Sequence, residues 1–99
     1  MNSDKGGGVV PVFMIERRYA EEFTPSTEGA AEVRLVNDDE DVHWLYSFLS
    51  ADKRKSFCLY EAESADAIRR AAERAGLPAD VIIEVSDRIT PDGVMHPVG

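Results

Sequence analysis

Apolar positions along this chain fall into extended runs and helical stripes in the order β-α-β-β-α-β. Val9 to Tyr19 (VVPVFMIERRY) is rich in β-branched and aromatic residues and turns polar at Glu16, the pattern of a buried central strand. Pro11 has no backbone donor and belongs near the start of the paired stretch. Thr24-Pro25-Ser26 stops the strand and opens a helix, with Ala30, Val33 and Val36 near helical spacing, running from about Ser26 to about Asp39. Gly29 weakens this helix by ~1 kcal/mol against alanine. The run Asp38-Asp39-Glu40-Asp41 adds negative charge where the helix dipole is already negative, and predicts a frayed end. Val42 to Ser50 (VHWLYSFLS) and Lys55 to Ala62 (KSFCLYEA) read as a hairpin across the polar Ala51-Asp52-Lys53-Arg54. Ser64 is a good N-cap for the second helix, whose apolar stripe is Ala67, Ile68, Ala71, Ala72 and Ala75; Gly76 ends it and Pro78 lies beyond. Val81 to Ile89 (VIIEVSDRI) is the fourth strand, ended by Thr90-Pro91-Asp92-Gly93.

This order predicts one α+β domain over residues 9–91, an open antiparallel four-stranded sheet with both helices on one face. Residues 1–8 (MNSDKGGG) offer nothing to bury and read as a disordered arm, and residues 92–99 as a flexible tail. Tyr46, Phe48, Phe57 and Leu59 are more apolar surface than two helices on one side can cover. They predict a homodimer docked through the sheet face.

Length and charge narrow the partners. Ninety-nine residues suit one domain, and 11 Lys+Arg against 19 Asp+Glu give a formal charge of -8. Such a balance repels nucleic acid and anionic membrane surfaces. The lone Cys58 cannot form an internal disulfide, no apolar run approaches the ~18–20 residues of a membrane span, and the start lacks a secretory pattern, so cytoplasm is the expected compartment. Glycine-rich phosphate loops, zinc-type Cys/His spacings and nucleophile elbows do not occur.

Candidate chemistry concentrates on the hairpin. An even-length turn would pair Ser47 with Cys58 and Leu45 with Tyr60. One face then collects His43, Leu45, Ser47, Leu49, Ser56, Cys58 and Tyr60; the other collects Val42, Trp44, Tyr46, Phe48, Phe57, Leu59 and Glu61. A one-residue slip would exchange these partners. His43 and Cys58 are residue types that bind transition metals, but their strand offset separates them by roughly 13 Å at ~3.3 Å per residue. They cannot share one ion within a subunit. The plain structural readings are a half-buried histidine bonded to backbone or to Asp41, and an inert core thiol. Glu16 and Glu61, at the ends of apolar runs, call for partners such as Arg17, Arg18 or Arg88; facing an apolar cavity, either would be a general acid.

VFMIERRY, VHWLYSFLSADKRKSFCLYEAESADAIRRAAERAGLPADVI and EVSDRITP together resemble a small bacterial family of ferredoxin-like proteins, some of them described as nickel-binding. The resemblance covers most of residues 12–91. It is most specific at Trp44 to Ser47, at Cys58-Leu59-Tyr60-Glu61-Ala62 and at Ala75-Gly76-Leu77-Pro78-Ala79-Asp80. It implies a ferredoxin-like fold, a dimeric α+β barrel and a divalent metal such as nickel; the residues themselves offer His43, Glu61 and Cys58 on the hairpin as candidate ligands, with Glu16 or donors supplied across the dimer to complete a site. The alternative is a cofactorless barrel enzyme, monooxygenase- or isomerase-like, taking a small organic substrate between sheet and helices on a lining of His43, Ser47, Cys58 and Tyr60.

Overall fold

Alternation along β1 (Val12–Arg18) sets the two sides of the molecule, because successive strand residues point to opposite faces. Phe13, Ile15 and Arg17 share one face and are all buried. Met14 and Glu16 lie on the other. The computed structural model describes residues 10–98; the arm expected at residues 1–8 lies outside them. Strand β1 occupies the middle of a sheet of order β2-β3-β1-β4, with β2 at His43–Leu49, β3 at Lys55–Glu61 and β4 at Val81–Val85. All three pairings are antiparallel. With helices α1 (Thr27–Glu40) and α2 (Ala65–Ala75), the fold is ferredoxin-like α+β. Among the described residues no helix is long and apolar enough to cross a membrane.

Helix α2 carries the core on the inner sheet face. Ser64 accepts from the Ala67 N–H at 3.2 Å, Gly76 closes the other end at φ 69°, and Ala67, Ile68, Ala71 and Ala72 are buried. The first three pack with Phe13, Ile15, Val42, Cys58, Tyr60 and Ala62. Helix α1 buries only Asn37. Its acidic end does not fray as the charge run suggests. It stays helical through Glu40, because Arg70 and Arg74 of α2 bind Glu40 at 3.1 Å and Arg74 binds Asp39 at 2.9 Å.

The C-terminal part departs from the sequence reading. The fourth strand stops at Val85, and Asp87–Ile89 (β5) pairs instead with Met95–Pro97 (β6) in a separate two-stranded ribbon. Gly93 at φ 84° and the Asp92 carboxylate, which accepts from Thr90 Oγ1 and the Val94 N–H, form its turn. The segment expected as a tail thus holds a strand.

Register across the sheet explains the outer face. Tyr46, Leu59, Met14 and Ile83 stand side by side in one row that crosses all four strands. Tyr46 is 52%, Phe48 59% and Ile83 55% exposed. Neither helix covers this row.

Candidate functional site

Strand β2 does not keep one register. From Tyr46 to Leu49 it pairs as expected, Ser47 opposite Cys58, but a β-bulge at Leu45 shifts the remainder, so Trp44 opposes Tyr60 and His43 opposes Glu61. The face assignment expected for this end is therefore corrected. Trp44 turns inward to stack on Tyr60, with centroids 6.5 Å apart and rings 10° from parallel, and its Nε1 donates to Ser47 Oγ at 2.8 Å. His43 and Glu61 turn outward, and Leu45 has no partner.

A cavity of about 610 Å³ lies between this inner face and α1. It exists because the α1 residues over the sheet are small: Gly29, Ala30, Val33 and Val36 line it but cannot fill it. Ser47, Cys58 and Tyr60 stand in its lining together with Trp44, Leu49, Ser56 and Arg17. Tyr19 and Phe23, stacked at 4.7 Å, form a further wall, tied to the β2–β3 turn by Tyr19 N–H to Arg54 O and Phe23 N–H to Lys53 O, both 2.8 Å. The volume falls within the ~300–1,000 Å³ of sites that enclose a small organic ligand.

Polar groups in the lining include Thr24, Ser26, Glu32 and Arg74 on the helix side, and on the sheet side they engage one another. Tyr19 Oη and Ser56 Oγ are 2.7 Å apart, and Ser56 Oγ lies 3.6 Å from Cys58 Sγ. Burial raises the Tyr19 hydroxyl above its ordinary pKa, against the Ser56 hydrogen bond. Burial also raises Tyr60, opposed by the Arg17 guanidinium and by the Asn37 side chain beside the phenol oxygen. Both phenols are donors at neutral pH. Arg17 itself is 3% exposed, donates from Nη1 to Pro78 O at 2.6 Å, and sets its Cζ 5.7 Å from the Tyr60 ring centroid.

Of the expected metal ligands, the structure brings His43 and Glu61 face to face on the outer surface and keeps Cys58, 5% exposed, on the opposite side of the sheet. Glu61 forms no ion pair among the described residues, whereas Glu16 pairs with Arg18 at 2.8 Å. Within the described residues no group of three or more His, Cys, Asp or Glu side chains could hold a metal ion. One chain's described residues therefore do not fit nickel unaided. The organic-substrate lining, for its part, lacks the imidazole expected from His43. Two residues that shape the cavity, Arg17 and Trp44, were assigned other places by the sequence reading. The signal for Arg17 is its step of two from Ile15, which puts it on the core face.

Comparison with known proteins sets this geometry in a family. The model of the family described as "Nickel responsive protein SCO4226-like" matches residues 13–85. The crystal structure of SCO4226 from Streptomyces coelicolor A3(2) is 31% identical and superposes with a TM-score of 0.60, over 75% of this chain and 94% of that one. No curated protein matches the chain. With the match spanning both helices and all four strands of the main sheet, the chain belongs to the SCO4226-like family of nickel responsive proteins.

Proposed function

We propose that the protein acts as a homodimer that binds a divalent transition metal such as nickel, two copies docking through their outer sheet faces and each offering His43 and Glu61 as part of the metal site. The observation that carries this reading is the His43–Glu61 pair itself. It places one imidazole directly opposite one carboxylate that has no ion-pair partner among the described residues, on the face where Tyr46 and Ile83 stand exposed at the two ends of the apolar row. Imidazole and carboxylate both suit nickel, and opposed strand residues hold their Cβ atoms ~4.5–5.5 Å apart, close enough for two ligands of one ion. Water and donors of the second copy would complete the coordination. The family's name supports nickel as the ion.

Two measurements on untagged protein test the proposal. Light scattering should return the mass of two chains, and equilibrium dialysis against nickel chloride should retain metal in stoichiometric amount. His43→Ala should lower nickel retention at least tenfold and leave the dimer intact. Phe48→Glu, a charge on the docking face, should give monomers and lose the metal with them. A monomeric wild type, or nickel retained unchanged by His43→Ala, would overturn it.

A further inference from the structure

We infer that the cavity under α1 is a second binding site, independent of any metal, and that it takes a small aromatic carboxylic acid whose carboxylate pairs with Arg17. Arg17 is a cation removed from water: it is 3% exposed, and among the described residues it has no carboxylate partner. A buried charge is costly unless it is paired and hydrogen-bonded. The Pro78 carbonyl takes one N–H and the Tyr60 ring face offsets part of the charge, which leaves most of the planar fork unused.

A second buried donor sits beside it. Asn37 is 4% exposed, and its Nδ2 has no hydrogen-bond partner among the described residues. Asn37 meets Arg17 and Tyr60 in a crevice behind the main cavity that is too tight for a water molecule, and it supports the Tyr60 phenol oxygen from there and does not face the ligand space. Within the cavity itself the guanidinium and the protonated Tyr60 phenol remain, and an acceptor-only group would satisfy both. A carboxylate matches the guanidinium fork in two parallel bonds. A phosphate dianion does not fit as well, because the other cation of the lining, Arg74, is already held by Asp39 and Glu40.

The remainder of the cavity selects the body of the ligand. Trp44 stacked on Tyr60 and Tyr19 stacked on Phe23 present flat aromatic walls, and Val33, Val36 and Leu77 add aliphatic ones. Planar rings meet such walls in offset or edge contacts. The protein's charge of -8 repels free acids in general, so binding depends on the one buried cation rather than on long-range attraction.

Titration calorimetry of the full chain with 2-naphthoate, and with its uncharged counterpart 2-naphthamide, tests the inference. Naphthoate should bind the metal-free protein at least tenfold tighter than the amide. Arg17→Gln should abolish that preference. Should that variant fail to fold by circular dichroism, Arg17→Lys, which keeps the charge but not the fork, should weaken naphthoate several-fold in folded protein. Equal binding of acid and amide, no binding of either, or naphthoate affinity that Arg17→Gln or Arg17→Lys leaves intact would each overturn the assignment. None of these outcomes depends on the fate of the metal site.

Discussion

The two helices lie on the same sheet face and do opposite things there. Helix α2 buries Ala67, Ile68, Ala71 and Ala72 and presses its stripe onto β1 and β3; α1 buries one residue, Asn37, and stands over an open space of about 610 Å³. The difference originates in the side chains. The stripe of α2 packs directly on Phe13, Ile15 and Tyr60, whereas the short residues of α1 stand across a hollow from Trp44, Ser47, Leu49 and Ser56. Side chains that reach across make a core on one side, and α1 side chains too short to reach the sheet leave a cavity on the other. Stability should therefore reside with α2, and room for a ligand with α1.

The largest test of that division is Ile68→Ala. Ile68 is 1% exposed at the centre of the packed half, so the change should cost about 2–5 kcal/mol in urea unfolding. Val33→Ala, on the cavity side, should cost less than about 1 kcal/mol, since it removes atoms from a wall and not from a packed contact. Next in size, Ala71→Leu should destabilise by about 1–3 kcal/mol through overpacking, while Ala30→Leu should fold normally within about 0.5 kcal/mol and reduce the cavity's capacity for ligand. Equal costs for the two alanines would mean that the sides do not differ. A smaller effect is expected at the α1 C-cap, where Asp41 adopts φ 59°. Asp41→Gly should raise stability by less than about 1 kcal/mol, by relieving the left-handed backbone and removing a charge from the negative end of the dipole.

The smallest test is one of pH. Hydrogen bonds from Arg70 and then Arg74 hold the Glu40 carboxyl below its ordinary value. A depressed folded-state pKa contributes stability above the unfolded value and loses it as pH falls through the folded one. The stability difference between wild type and Glu40→Gln should thus be complete near neutrality and vanish on acidification through the carboxylate range. A difference that grew in acid would show that the arginines do not anchor α1.

Particular residues show why the fold was legible in the sequence and the site only partly so. Helix α2 announces itself through Ser64, Gly76 and a clean stripe, and β1 through its β-branched run; local signals and tertiary structure agree there. The hairpin register from Tyr46 to Leu49 follows from the turn. The bulge at Leu45 does not, because VHWLYSFL has apolar residues on both faces and a slip there exchanges Trp44 for Leu45, leaving little penalty for periodicity to report. That ambiguity misplaced Trp44 and His43 together. Arg17 was read by residue type, as a partner for a strand-end carboxylate, although its spacing from Phe13 and Ile15 already placed it inside. The turn Thr90-Pro91-Asp92-Gly93 was recognised, but three paired residues on either side carry too little pattern to be told from an unstructured end.

The inward turn of Trp44 has an optical consequence. It is the protein's only tryptophan, so all indole emission comes from the wall of one cavity. With Tyr60 stacked 6.5 Å away, excitation of that phenol passes to the indole, and a guest displacing water from the ring shifts the emission to shorter wavelength. The molecule thus carries an intrinsic fluorophore at the place where the packed and the open halves of its interior meet.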